Sequence, residues 1–159
     1  MKFLSTPMKG VSVCLVTNFL FLVLLLLTLA STAQNAIVSE NALPGNSPSQ
    51  WDITGAGDLS IQGFATDISV NKGERVHFKI KTDASAYTIT IYRLGYYQGK
   101  GARKIAKGKI TAILPQTQPE PLYDESTGLT DCGNWAESAH WDVPATAVSG
   151  IYIANYHHI

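Results

Sequence analysis

A strict alternation of apolar and polar residues over positions 75–81 constrains the fold of this chain more than any other feature. Val76, Phe78 and Ile80 occupy every second position, and each position between them carries a charged or ionisable residue. Successive side chains of a β-strand point to opposite faces, so this period predicts a half-buried antiparallel strand. A strand of this kind needs a second layer of structure to cover its apolar face.

Other parts of the chain carry related strand signals. Residues 61–70 lead into the turn-forming Asn71-Lys72-Gly73, which predicts a hairpin with the alternating strand, or a first strand that pairs elsewhere. Further strands are predicted at residues 87–94, 109–114, 135–141 and 151–156. Three prolines between 115 and 121 are expected to prevent regular structure up to about Gly128. No amphipathic helix of three turns is apparent, so the predicted fold is all-β, an antiparallel β-sandwich.

The last predicted strand suggests a particular kind of sandwich. Residues 149–154 look like the strand that carries the tyrosine corner in immunoglobulin-like domains, with Tyr152, Ala154 and Tyr156 on one face. The second cysteine of an antibody domain would fall at Ala154, so a disulfide-free relative is expected. Such a strand is usually followed by one more, so we expect a sandwich that lacks its last strand, in a fragment or truncated gene product. Completion by a donor strand from a partner is the alternative.

The amino terminus has the organisation of an export signal. Lys2 and Lys9 precede an apolar run over residues 11–30, and the small residues Ser31-Thr32-Ala33 follow it. This order predicts a signal peptide over residues 1–33. The run is also long enough to span a bilayer, so an uncleaved signal anchor is the alternative, with membrane contact through residues 11–30 alone. Both interpretations place residues 34–159 outside the cytoplasm, in a secreted or membrane-anchored protein.

The remaining chain divides by composition. Residues 34–60 are rich in Asn, Ser, Pro and Gly, which predicts a linker or irregular lead-in from which Trp51 docks onto the domain. Residues 61–159 form the incomplete β-sandwich domain. Outside the leader, ten Lys and Arg face twelve Asp and Glu, a net charge of −2. A near-neutral domain lacks the clustered basic surface that nucleic-acid binding needs, so no nucleic-acid partner is expected.

Three sequence blocks carry a family resemblance. The first is Trp51-Asp52-Ile53 with residues 61–70, the second is Tyr-Arg-Leu-Gly-Tyr-Tyr-Gln-Gly-Lys-Gly-Ala-Arg over residues 92–103, and the third is Cys-Gly-Asn-Trp over 132–135 with Trp141 and residues 149–152. Together, over about residues 46–156, they resemble the N-terminal β-sandwich region of proteins related to the large subunit of N,N-dimethylformamidase.

The resemblance implies a context more than a reaction. In that family the reaction centre, an amide-hydrolysing iron site in dimethylformamidase, lies in a larger domain that follows the sandwich. No catalytic or metal residue therefore carries over to this chain. The resemblance implies an exported, non-catalytic accessory module that packs against a larger domain. A stand-alone secreted module that binds a ligand or carbohydrate is the alternative.

One loop is the candidate interaction surface. Within residues 92–103, Tyr96 and Tyr97 could stack on a ligand ring, while Arg93 or Arg103 could bind a carboxylate. The alternative is a structural loop, with tyrosines packed on the sandwich and arginine bonded to main-chain carbonyls. We expect this surface to contact the downstream domain of the parent protein or a partner chain.

The remaining reactive residue types form no recognisable site. Cys132 and His140 could act as nucleophile and base, but their spacing of eight residues implies no fixed geometry. Cys132 is also the only cysteine after the leader. His157 and His158 are adjacent, and adjacent strand residues point to opposite faces, so a shared metal ion is not expected.

Acidic and aromatic candidates are equally indistinct. Asp124-Glu125 and Asp131 lack the ligand spacing of a calcium loop. Trp51, Trp135 and Trp141 could form a sugar-stacking platform but are more often core residues. The sequence therefore predicts no catalytic residue, no metal and no cofactor.

Overall fold

The computed structural model of the chain describes Asn18, Phe21, residues 35–55 and residues 57–159. The predicted signal peptide or anchor falls outside the described residues, apart from Asn18 and Phe21. Within the described part of the chain, no helix has the length and apolarity needed to cross a bilayer.

The described elements are mostly short strands. One α-helix, α1, spans Ala36–Asn41, and single 3-10 turns lie at Pro48–Gln50 and Tyr97–Gly99. The strands are β1 (Ile61–Ala65), β2 (Arg75–Thr82), β3 (Tyr87–Leu94), β4 (Ala102–Lys107), β5 (Lys109–Ile110), β6 (Leu122–Asp124), β7 (Leu129–Asp131), β8 (Ala139–Asp142) and β9 (Tyr152–His158).

Antiparallel pairing groups these strands into three sheets. Their orders are β1-β2-β8-β5, β4-β3-β9 and the small hairpin β6-β7. The all-β prediction is therefore confirmed, and so is the hairpin of β1 with β2, which pairs Ile61 with Thr82. The finer prediction of an immunoglobulin-like sandwich stays a prediction.

The two larger sheets share one apolar core. Val76, Phe78 and Ile80 of β2 are buried as their alternation predicts, and Ile89 and Ile91 of β3 enter the same cluster from the other sheet. Aromatic rings also meet between the sheets. Phe78 and Tyr156 lie edge to face with ring centroids 6.4 Å apart, and the centroids of Trp141 and Tyr152 are 5.3 Å apart. Burial of these apolar faces drives the sheets together.

Gly108 lies where the chain leaves one sheet for the other, between β4 and β5. Its amide donates to the carbonyl oxygen of Ile89 at 3.0 Å. A Cβ atom on Gly108 would lie 3.0 Å from the Cβ of Ile89. The absent side chain lets the main chain pass closely over β3 at the crossing.

Two predicted strands are shorter than expected. The strand predicted at residues 109–114 ends at Ile110, because the amides of Thr111 and Ala112 both donate to the carbonyl oxygen of Ser138 and the ladder stops there. The strand predicted at residues 135–141 begins only at Ala139. Trp135 precedes it in a turn, where its amide donates to the carbonyl oxygen of Cys132.

The expectation that the prolines prevent regular structure up to Gly128 is wrong for residues 122–124. There β6 pairs with β7 in a hairpin that projects into solvent, and Leu122, Tyr123 and Leu129 are exposed. The prolines end at Pro121, so none of them interrupts the hairpin ladder itself.

Tyr152 bonds back to the main chain at the start of β9. The hydroxyl of Tyr152 donates to the carbonyl oxygen of Val148, four residues upstream, at 2.6 Å. Its ring packs on the core while the hydroxyl ties the preceding loop to β9. A tyrosine corner is a bond of this type.

The shared core makes a stability prediction. Ile80→Ala removes a fully buried side chain and leaves a cavity, so we expect a loss of about 2–5 kcal/mol in the free energy of unfolding. Ile113→Ala is the matched control, because Ile113 is 91% exposed, and its effect should stay within about 0.5 kcal/mol. Equilibrium urea unfolding followed by tryptophan fluorescence measures both. Equal losses in the two variants would contradict the assigned core.

Candidate functional site

Four polar side chains converge where β3 and β4 meet the amino-terminal helix. We call Glu40, Arg93, Tyr97 and Arg103 the arginine–tyrosine cluster. Tyr97 is fully buried, Arg93 is 2% exposed and Glu40 is 9% exposed, which is unusual for charged residues. A buried charge is stable only when it is paired and hydrogen-bonded, so the partners of these groups decide what the cluster does.

Local structure brings the four residues together from three segments. Arg93 and Arg103 lie directly opposite each other in the β3–β4 ladder and so share one face of the sheet. Tyr97 follows in a tight turn with a φ of 42°, a left-handed conformation that turns its ring back toward the strands. Glu40 comes from α1, whose first turn is capped by the side chain of Asn35 accepting from the amide of Ile37.

Arg93 joins three parts of the chain through its guanidinium. Nη1 donates to the side-chain oxygen of Asn41 at 3.0 Å and to the hydroxyl of Tyr97 at 2.9 Å. Nη2 donates to the carbonyl oxygen of Ser149 at 2.7 Å, and Nε donates to that of Val148 at 3.4 Å. The guanidinium thus links β3 to the helix and to the loop before β9.

Glu40 receives the remaining donors of the cluster. Its Oε1 accepts from Nε of Arg103 at 2.9 Å and from the hydroxyl of Tyr97 at 2.9 Å. The guanidinium carbons of Arg93 and Arg103 each lie 5.9 Å from the centre of the Tyr97 ring. The ring therefore contacts two cations while its hydroxyl links Arg93 to the carboxylate.

The surroundings shift the pKa values of Glu40 and Tyr97 further from neutral pH. Burial alone would raise the pKa of Glu40, but hydrogen bonds from Arg103 and Tyr97 and the charges of both arginines outweigh it and lower that pKa. Burial raises the pKa of Tyr97. A general acid or base works best with a pKa near the working pH, and these two groups are displaced in opposite directions from it. The hydrogen bonds of the cluster join α1 to β3 and β4.

The four residues of the candidate interaction surface differ in their exposure to solvent. Arg93 and Tyr97 are buried, Arg103 is partly buried and Tyr96 is 70% exposed. The carboxylate expected from a ligand is supplied inside the chain by Glu40, and Arg93 bonds main-chain carbonyls. Contact of this surface with another domain stays a prediction, for which Tyr96 is the accessible member.

Sequence reasoning missed Glu40. It lies in the segment predicted as an irregular lead-in, and its pairing with residues more than fifty positions away leaves no local pattern. A capping residue at Asn35 before a short apolar run was the one available signal for α1.

The second group of ionisable side chains lies on the other large sheet, on the face of β2 and β8 opposite Phe78 and Trp141. His77 and His140 are directly opposite in the β2–β8 ladder, and Glu137 lies beside both. Nδ1 of His77 is 2.8 Å from Oε2 of Glu137, and Nδ1 of His140 is 3.6 Å from Oε1. In the part of the chain that the structure describes, no group of three His, Cys, Asp or Glu is placed to hold a metal ion.

The other reactive candidates have different surroundings. Cys132 is a free, partly exposed thiol, whereas His140 is buried beside Glu137. Nε2 of His158 is 2.7 Å from the hydroxyl oxygen of Ser60, at the far end of β9. Asp131 accepts from the amide of Gly133, a turn-forming bond rather than a ligand position.

The three tryptophans pack against the protein itself. Trp135 and Trp141 are buried, and the indole nitrogen of Trp135 donates to the carbonyl oxygen of Pro119. Trp51 lies against Gly101, and its indole nitrogen donates to the carbonyl oxygen of Lys100 at 3.2 Å, which fits the predicted docking of this residue. The three rings form no common exposed plane for a sugar.

Comparison with known families identifies part of the chain. Residues 88–158 match the family described as N,N-dimethylformamidase beta subunit-like, C-terminal. The match confirms the resemblance to dimethylformamidase-like proteins over β3 to β9. Its description names a C-terminal part, so the N-terminal position expected within the parent protein stays a prediction. Searches of curated proteins and of solved structures found no significant match.

The arginine–tyrosine cluster predicts an acid-sensitive stability. The folded-state pKa of Glu40 is lowered, so its stabilising effect is complete above the ordinary value of 4.5 and is lost as the pH falls through the lower folded value. Glu40→Gln should cost about 1–3 kcal/mol at neutral pH and should remove this part of the acid dependence.

Urea unfolding across pH 7 to pH 3 measures both effects. Glu125→Gln is the control, because Glu125 is an exposed glutamate of the β6–β7 hairpin. It should keep the stability and the acid dependence of the parent chain. An acid dependence that is unchanged in Glu40→Gln would show that Glu40 does not carry it.

Proposed function

We propose that this chain supplies an exported, non-catalytic accessory β-module of an N,N-dimethylformamidase-like protein, which packs against another domain of that protein. The family match over residues 88–158 carries the proposal. That family is described as like a subunit of an enzyme, and a subunit acts through contact with further protein.

The described side chains support a structural role for the module. The charged residues in the interior are bonded within the chain: Arg103 bonds to Glu40, and Arg93 bonds to Asn41 and to the main-chain carbonyl of Ser149. Cys132 and His140 are not joined in a nucleophile–base pair. Neither observation provides a reacting group held ready for a substrate.

Export is a separate part of the proposal. It rests on the order of Lys2 and Lys9, the apolar run and the small residues up to Ala33. Reliance on a packed core without an internal disulfide is compatible with either a secreted or an anchored domain. The alternative of a carbohydrate-binding module has no support from the tryptophans, which pack internally.

The accessory role predicts association through an exposed aromatic residue. We expect the chain to bind the remaining part of its parent protein when the two are expressed separately. Tyr96→Ala should raise the dissociation constant about tenfold, because aromatic residues dominate interface energies and Tyr96 is exposed beside the arginine–tyrosine cluster.

Tyr123→Ala is the matched control, since Tyr123 is 65% exposed on the separate β6–β7 hairpin. It should leave the dissociation constant unchanged. Isothermal titration calorimetry measures the dissociation constants of the unmodified chain and of the two variants. Absence of association with the fold intact would overturn the accessory role. Equal affinity of the Tyr96→Ala variant would remove only Tyr96 from the interface.

The leader makes a separate prediction. Expression with the native leader in a secretory host should yield a protein whose first residue is Gln34, because Ala33 and Ser31 are the small residues that a signal peptidase reads. Ala33→Arg should block this cleavage. Amino-terminal sequencing measures the outcome, and an intact leader in the unmodified chain would favour the signal anchor.

A further inference from the structure

An open groove separates the free edge of β9 from the β1–β2 hairpin. The groove has a volume of about 940 Å³ and lies between the two large sheets. Its floor is apolar and includes Val70, Val76, Trp141, Ala154 and Tyr156. Within the described residues, β9 is the last strand of its sheet and β1 is the last strand of the other. We call this space the β9 groove.

The main chain of β9 offers unpaired hydrogen-bonding groups to this groove. The carbonyl oxygen of Ile151 accepts from the amide of Leu94, and the amide of Ile159 donates to the carbonyl oxygen of Ala86. Residues alternate in direction along a strand, so the odd-numbered positions face β3. The amides and carbonyls of the even-numbered positions, Tyr152 to His158, therefore face away from β3, toward the free edge.

The other edge of the same sheet is protected, whereas this one is not. The edge strand β4 carries Arg103, Lys104 and Lys107, and its pairing with β3 is interrupted by a register shift. Natural sheets use such charges and irregularities to prevent further strand pairing. Residues 152–156 of β9 contain no charge and no proline, and neither does β1. Both unprotected edges border the β9 groove.

One end of the groove is already closed. Nε2 of His158 lies 2.7 Å from the hydroxyl oxygen of Ser60 and 3.4 Å from Oδ2 of Asp58. These contacts hold the end of β9 near the start of β1. From there the lining of the groove follows β9 along residues 150–156.

We propose that the β9 groove accepts one β-strand from the partner domain, added along the free edge of β9. Free main-chain donors and acceptors select an extended polypeptide, and the apolar floor selects a segment with apolar residues at alternate positions. The added strand bonds to Tyr152, Ala154 and Tyr156, and its inward side chains cover the core. This proposal rests on the accessory function proposed above and names how the partner is held.

A tail fused to the full chain tests the edge without the partner. A flexible Gly/Ser linker after Ile159 carries a strand of about seven alternating Val and Thr residues, and fusion raises its effective concentration. The matched control carries a Gly/Ser tail of equal length. Both chains keep the native leader and are purified in detergent, and residue-resolved hydrogen exchange is measured by NMR.

Alternation of protection is the expected result. With the Val/Thr tail, exchange at the amides of Tyr152, Ala154 and Tyr156 should slow at least about tenfold relative to the control. The amides of Ile153 and Asn155 already face β3 and should change little. No slowing at the even positions, with the amides of β3 still protected, would overturn the proposal.

Two further outcomes are informative. If the even-numbered amides are protected in the control chain and lose that protection on dilution, a second copy of this chain occupies the edge, and the partner-strand proposal is wrong. The tail experiment contains no partner domain, so it succeeds or fails independently of the association experiment. Association without an edge that accepts the tail would preserve the accessory function and reject this mode of binding.

Discussion

The assembly of the described chain depends on the hydrogen bonds that the buried guanidinium of Arg93 donates. Removing a guanidinium from water is costly, and that cost is offset only when its donors are satisfied. Here they are satisfied by α1, by the turn that holds Tyr97 and by the loop that ends at Ser149. Three segments distant in the sequence are fixed to the end of β3 by the need to solvate one buried charge.

The same cluster explains why residues 35–51 follow the surface of the sheet. Glu40 neutralises one of the two arginine charges, and Asn46 forms a bridge with Ala102. The hydroxyl of Tyr92 donates to the carbonyl oxygen of Gln50. The segment covers the β4 side of its sheet, so that edge is occupied by the chain itself.

Much of the fold could be predicted because strand periodicity is a local property. The alternation around Phe78 predicted β2 and its buried face, and the shared face of Tyr152, Ala154 and Tyr156 on β9 was also found from the sequence. Strand ends depended on distant partners. Ser138 ends β5 by accepting two amides at once, and no pattern near Ile110 could have shown this.

The candidate site was predictable only in part for the same reason. The loop with Arg93 and Tyr97 was recognisable from its composition, and the structural alternative for it describes most of its bonds. Glu40 was not recognisable, because a single glutamate in a segment rich in Asn, Ser and Pro carries no sign of its distant partners. The position of a buried ion pair follows from tertiary packing, which periodicity does not encode.

The pairing of β3 with β9 sets the order in which the domain can be completed. Tyr87 at the start of β3 is opposite His158 at the end of β9. The central strand β3 can therefore pair along this side only after β9 has been synthesised. Contacts of such long sequence separation form slowly, because a large loop must close before they gain anything. During synthesis the sheet of β3 therefore stays incomplete until β9 has left the ribosome, and the apolar faces of Ile89 and Ile91 lack their full cover until then.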